Sequence, residues 1–212
     1  KVHIGKSITK GLGSGMNPEL GRQAAEESQE EIEEVISNAD MVFITCGLGG
    51  GTGTGAAPIV AELAKNRDIL TIAVVTKPFT FEGSKRKEIA EAGYENLKDK
   101  VDAIISIQND RILQIIDKKT SLIEAFSTVD EVLRQGIAGI SDLITTHGVV
   151  NADFADIRTI MQDAGTAMMG IGRGSGENRA EVAAKAAVNS PLLDMTIDGA
   201  QGVLFKIRGG PD

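Results

Sequence analysis

Met41-Val42-Phe43-Ile44-Thr45-Cys46-Gly47-Leu48-Gly49-Gly50-Gly51-Thr52-Gly53-Thr54-Gly55-Ala56-Ala57 is the stretch that decides how this chain folds. The apolar, β-branched run at 41–45 predicts a buried strand. A glycine-rich turn at 47–55 follows, and a helical pattern at 57–66 leaves it. A strand that feeds a helix through small residues is the opening of a βαβ unit. Working outward, further apolar runs at 69–75 and 103–107 alternate with helical patterns at 18–38, 85–98 and 110–118. The fold class is therefore α/β, with a parallel sheet covered on both faces. Ligands of such sheets sit off the carboxyl ends of the strands, which directs attention to the loops at 46–55, 76–83 and 108–110.

A turn of this composition presents backbone N–H groups at a helix N-terminus, where the dipole favours an anion. Its threonines add hydroxyl donors. It is not a Walker A loop, because Ala56 stands where lysine belongs, and it lacks the G-x-G-x-x-G spacing of a dinucleotide enzyme. A plain flexible turn is the alternative reading.

The formal net charge of −8 carries no basic stripe of the kind nucleic-acid proteins use. The acidic run at 26–34 reads as a solvated helix face. Cys46 is the only cysteine, so no disulfide framework exists and a cytoplasmic location is expected. His3 and His147 are isolated, and no metal-ligand spacing is present. No apolar run is long enough to span a membrane. The chain opens on Lys1 and closes on Asp212, and both ends read as cut.

Leu122, Phe126, Val129, Leu133, Ile137, Ile140 and Ile144 keep one helical face. They predict a helix over 121–146, roughly 39 Å long, ended near Gly148. We read it as a connector occupying 119–148, between a first domain at 1–118 and a second, smaller α/β domain at 149–212. The second domain is expected to hold helices at 151–162 and 177–189 and strands at 166–171 and 202–208.

The loop at 47–55 resembles the signature loop of the tubulin/FtsZ family, in the form typical of its FtsZ branch. Other strings resemble the family in the same order: Gly11-Leu12-Gly13-Ser14-Gly15-Met16-Asn17-Pro18-Glu19, Thr76-Lys77-Pro78-Phe79-Thr80-Phe81-Glu82-Gly83, Asn109-Asp110-Arg111, and Asn151-Ala152-Asp153-Phe154-Ala155-Asp156. The resemblance covers essentially the whole chain. It implies a partial chain that starts after the family's first βαβ segment and stops within its C-terminal domain. It further implies a GTP-binding, GTP-hydrolysing protein that polymerises head to tail into the filaments of the cell-division (Z) ring. GTP or GDP is the implied ligand, with Mg2+ bound alongside it. The implied partners are copies of itself, plus division proteins and membrane adaptors reached through a C-terminal tail. The implied location is the cytoplasm at midcell, or the plastid stroma for an algal or plant source.

Residue by residue, the resemblance assigns the phosphates to Gly50, Gly51, Thr52 and Gly53, with Gly47 shaping the turn and the loop around Gly15 near the γ-phosphate. Glu82 and Arg86 match residues that reach ribose and phosphate; by themselves they are an i,i+4 surface pair. Asn109, Phe126 and Asp130 match the guanine pocket. On spacing alone Phe126 is a core residue and Asp130 a solvated one, and Glu131 is a rival carboxylate. Asn151, Asp153 and Asp156 match the catalytic acidic loop, although acids at a helix start are also ordinary caps. Residues 130–146 rise roughly 24 Å along the helix, too far for one site. Asp153 and Asp156 are therefore expected to act on the nucleotide of a neighbouring subunit.

Overall fold

The computed structural model describes residues 1–114, 116, 120–146, 153–190 and 199–209. Strands β1 (Met41–Gly47), β2 (Leu70–Lys77), β3 (Ala103–Gln108) and β4 (Gly165–Thr166) form one parallel sheet in the order β1-β2-β3-β4. Met41 stands beside Leu70 and Gly47 beside Thr76, so β1 and β2 end together.

The central strand β2 is buried from Leu70 to Thr76. That explains its unbroken apolar sequence, since a parallel strand has both faces covered. Side chains alternate between the faces. Leu70, Ile72 and Val74 enter one core with Ala125, Val129, Ile140 and Ile157. Ala73 and Val75 enter the other with Ala57, Ala61, Ala90 and Leu97.

Helices α1 (Pro18–Glu27) and α2 (Gln29–Ile36) replace the single helix expected over 18–38. The chain leaves helical geometry at the buried Ser28 (φ −108°, ψ 21°), which lets α1 bury Ala24 and Ala25 while α2 turns Ile32 and Ile36 inward. Pro18 at the first helical turn and the Asn17 side chain, which accepts from the Glu19 N–H (3.1 Å), start α1. Helix α3 (Thr52–Lys65) crosses α1 in backbone contact. A Cβ on Gly55 would fall on the Pro18 carbonyl, and one on Gly21 on the Gly51 carbonyl.

Helix α4 (Ser84–Lys98) covers the same face of the sheet as α3. Helix α5 (Asn109–Ile112) is a single turn, shorter than the pattern at 110–118 suggests. Helix α6 (Leu122–Thr145) starts on a capping box: Ser121 Oγ accepts the Glu124 N–H (3.3 Å) and Glu124 accepts the Ser121 N–H (2.8 Å). The expected stop at Gly148 lies outside the described residues. The buried stripe of α6 runs through Ala125, Val129, Gly136 and Ile140, whereas Leu122 and Phe126 face outward. No described helix is long and apolar enough to cross a membrane.

Helix α7 (Phe154–Met161) buries Ile157 in the core beneath β2. Beyond it, the strand expected at 166–171 is two residues long and extends the first sheet by pairing with Ala103 and Ile104. Helix α8 (Arg179–Val188) lies on Gly170, Gly172 and Gly174, where any Cβ would strike its backbone. The alternating stretch at 202–208 pairs with no strand among the described residues, and Val203, Phe205 and Ile207 are exposed.

Candidate functional site

The carboxyl ends of β1, β2 and β3 carry the loops singled out above. After β1 closes at Gly47, the Leu48 N–H donates to the Thr76 carbonyl (2.8 Å) and holds the turn against β2. Gly49 takes φ +96°, open to glycine at little cost, and its N–H donates to Thr54 Oγ1 (3.0 Å). The helix then begins at Thr52, five residues before the expected Ala57. The glycines of the second half of the loop are its first turn, because only glycine there lets α1 and Cys46 approach so closely. The N–H groups of Thr52, Gly53 and Thr54 have no intrahelical acceptor, and the helix dipole adds positive potential at the same end. Gly47 and Thr52 are exposed, Gly50 and Gly53 half-buried.

The glycines do not share one purpose. A Cβ on Gly51 would lie 2.6 Å from the Gly15 carbonyl and 2.7 Å from that of Asn17; one on Gly53 would lie 2.8 Å from Cys46 Cβ. These positions are small so that the protein can pack on itself. Gly50 alone in the run 49–55 has nothing within 4 Å of its missing side chain. Against Gly53, burial pushes the Cys46 thiol up to about 11, which makes it a packing residue rather than a nucleophile.

The loop around Gly15 is laced to this turn. The Gly51 N–H donates to the Gly15 carbonyl (2.5 Å), the Ser14 N–H to Thr52 Oγ1 (3.3 Å), and the two hydroxyls of Ser14 and Thr52 share a hydrogen bond (3.0 Å). Ser14 was not singled out from sequence, since a serine between glycines carries no signal of its own.

On the far side of the turn, Glu82 and Arg86 pair (3.2 Å), with the Glu82 side chain only 11% exposed. Glu82 also accepts the Phe79 N–H (2.8 Å), so it is a built-in part of the loop rather than a surface partner. Arg86 lies against the Gly49 turn, and its Nε is buried without a partner. A buried charged donor with no acceptor is costly and suits an anionic ligand. Asn109 is 5% exposed, and its Oδ1 is likewise buried without a donor.

Phe126 is 41% exposed and meets Phe79 (5.2 Å, 87°) and Phe81 (6.4 Å, 88°) edge to face, while Phe79 and Phe81 stack at 4.8 Å. An outward ring among aromatics offers a flat apolar platform. Phe81 was missed as a site residue; the Phe-Thr-Phe spacing was its only trace in the sequence. One helical turn beyond Phe126, Asp130 is exposed and makes no side-chain hydrogen bond among the described residues. Its neighbour Glu131 is held by Arg134 (2.6 and 2.7 Å) and Gln135 (2.7 Å), which pull its carboxyl down to about 2. Asp130 is the carboxylate left available.

Asp153 and Asp156 stand elsewhere. They form a reciprocal capping box on α7: Asp153 accepts the Asp156 N–H (2.9 Å) and Asp156 accepts the Asp153 N–H (3.1 Å). Arg158 anchors this helix to Asp68, bonding its carboxylate (2.7 Å) and carbonyl (3.0 Å) just before β2 begins. The acids are thus at the amino edge of the sheet and the glycine turn at the carboxyl edge. The eight residues of β2 separate them by about 26 Å at ~3.3 Å per residue. Asn151 lies outside the described residues. Among the described residues no three His, Cys, Asp or Glu side chains converge to hold a metal ion.

The structure therefore brings Gly15, Gly47, Gly50, Gly51, Thr52, Gly53, Glu82, Arg86, Asn109, Phe126 and Asp130 to one edge of the sheet. It does not bring Asp153 and Asp156 to them. Comparison with known proteins agrees with this architecture. Residues 1–117 match the family model "Tubulin/FtsZ family, GTPase domain" and residues 165–212 match "FtsZ family, C-terminal domain". An FtsZ dimer from M. jannaschii, solved empty, superposes with a TM-score of 0.89 at 50% identity, over 92% of this chain and 57% of that one. GDP-bound CetZ1 from Haloferax volcanii superposes at 0.64 with 26% identity, over 80% of this chain and 49% of that one. The GTPγS-bound protofilament of CetZ2 from the same organism gives 0.65 and 25%, over 83% and 52%. The chain thus spans little more than half the length of the FtsZ structure it matches. By the family models and this structural likeness, the chain belongs to the tubulin/FtsZ family.

Proposed function

We propose that the full-length protein binds GTP at the carboxyl edge of the sheet and hydrolyses it when a second copy stacks on that edge, presenting Asp153, Asp156 and Asn151. The observation that carries this reading is the separation of the acids from the glycine turn by the full length of β2. In one chain they cannot share a phosphate; in a head-to-tail stack they can. Leu12 and Met16 on the Gly15 loop, Phe81 on the 79–82 turn, and Leu122 and Ile123 in the first turn of α6 are exposed apolar side chains, suited to cover by another protein surface. The dimer of the M. jannaschii FtsZ and the protofilament of CetZ2 support self-association.

In this reading residues 1–118 bind nucleotide, 119–148 connect, and 149–212 supply the activating acids. The N–H groups at the start of α3 and the Arg86 guanidinium balance phosphate charge; Asp130 accepts the N–H donors of guanine. Water attacks the γ-phosphorus, the bond to the β–γ bridging oxygen breaks, and GDP and phosphate leave. The carboxylates of the neighbouring copy orient that water and take up its proton. Phosphoryl transfer needs mainly positioning and charge stabilisation, which a site made of two halves can supply. A heterologous contact that does not close yields an open filament. Such filaments would form the cell-division (Z) ring, in the cytoplasm at midcell or in a plastid stroma, with division proteins and membrane adaptors as further partners.

The test is complementation between two variants. Asp153→Asn keeps an oxygen for the cap but removes the charge; Gly50→Val, assayed at a GTP concentration too low to fill its weakened site, leaves that site empty and keeps both acids. Each alone should be nearly inactive. Mixed, with co-assembly verified by sedimentation, they should exceed the sum of their separate rates. Strictly additive rates in co-assembled filaments would refute action across subunits.

A further inference from the structure

We propose that Asp110 is a positioning residue for base recognition: its carboxylate ties the Phe79–Phe81 turn to the strand end that presents Asn109. The inference rests on the nucleotide site proposed above and adds to it a residue that does not itself touch the base.

Asp110 follows Asn109 at the carboxyl end of β3. One of its oxygens accepts the Thr80 N–H (2.9 Å), and the other accepts the Thr80 hydroxyl. Thr80 sits between Phe79 and Phe81 and opens a 3-10 turn, Thr80–Glu82. The first N–H groups of such a turn have no partner within it. Here two of them are accepted by carboxylates: Glu82 takes the Phe79 N–H and Asp110 the Thr80 N–H. The turn thereby holds two rings in a fixed relation. Phe79 is 1% exposed and anchors the turn in the core, while Phe81, stacked on it, is 51% exposed beside Phe126.

Three features meet where this tie is made. An aromatic wall is left open, a buried Asn109 oxygen lacks a donor, and a short carboxylate clamp fixes one relative to the other. A planar ring system with an N–H on its edge satisfies the first two together, as a purine base does. Asp110 sets the gap that the ring must enter. Loosening it should cost affinity for the base and leave the phosphate end of the site, held by α3 and the Gly15 loop, as it was.

The experiment measures calorimetric binding of GTP and of ribose 5-triphosphate, which lacks the base, to the full-length protein and its variants. Asp110→Ala should weaken GTP about tenfold, the worth of roughly one net hydrogen bond, and leave ribose 5-triphosphate unchanged. Asp110→Asn retains an acceptor for the Thr80 N–H and should recover most of the loss. Phe81→Ala should reproduce the base-dependent loss without touching the clamp. Equal weakening of both ligands by Asp110→Ala would make the residue a general support of the fold and overturn the inference, as would no weakening of either. Asp130→Ala and Phe126→Ala separate the two levels of the argument. If they weaken GTP while Asp110→Ala does not, only the role of Asp110 falls. If they too leave GTP binding intact, the base pocket and the inference fall together.

Discussion

Gly50 is the position at which ligand binding can be separated from folding. Nothing lies within 4 Å of the Cβ it lacks, and its φ is outside the left-handed region. Gly50→Val should therefore fold with a stability change within about 0.5 kcal/mol, as for an ordinary surface substitution. In the proposed site the added branches would occupy the space in front of the α3 N-terminus, where phosphate oxygens would meet the N–H groups. Losing one hydrogen bond to an ionised group costs about 1.5–3 kcal/mol, so GTP affinity should fall by a factor of roughly 10 to 150.

Gly51→Val is the instructive contrast. Gly51 has an unstrained φ of −84°, yet its Cβ would meet the Gly15 and Asn17 carbonyls at 2.6 and 2.7 Å. Overpacking of that kind costs about 1–3 kcal/mol, so Gly51→Val should lose stability and affinity together. The assay is denaturant unfolding without nucleotide, paired with calorimetric titration of GTP. A Gly50→Val protein that binds GTP with the parent affinity would refute the assignment of the phosphate site to this turn.

Asp130→Ala should reduce the preference for GTP over ATP by about tenfold or more, as expected for loss of a charged acceptor, whereas Glu131→Ala, whose carboxylate is already taken by Arg134, should leave it intact; competition binding with the two nucleotides distinguishes them. Glu19 and Glu131 are both held at about 2 by their side-chain hydrogen bonds, to Arg22 and Arg134 respectively. Their folded pKa values are depressed, so their contribution is present above the usual carboxylate range near 4.5 and is lost as pH falls toward 2. Carboxyl-carbon NMR at pH 3 should find both ionised, and protonation of either at its ordinary value would contradict the pairing.

Local pattern was enough for β1, β2, β3 and the start of α6. The β-branched runs, the Ser121–Glu124 box and the glycine turn each announce a strand, a helix start or a strand-to-helix turn, because these depend on backbone preferences and neighbours a few residues away. The proposed phosphate-binding positions came with the resemblance of that turn to the family's signature loop. Which way a residue faces depends on what packs beside it. Phe126 keeps the helical spacing of a core residue, yet the sheet buries Ala125 and Val129 instead, and its ring is left open. Glu82 has the spacing of a surface pair, but the 79–82 turn folds its carboxylate inward. The alternation at 202–208 is that of a strand, but alternation makes a strand only where another edge is present to pair with it. The helix boundary at Thr52 was equally hidden, since glycine weakens helical propensity and only the contacts with α1 and the Gly15 loop explain why it is tolerated there. The clamp from Asp110 to Thr80 spans 30 positions of sequence. No local pattern encodes such a contact; it exists because two parallel strands end at the same edge of the sheet.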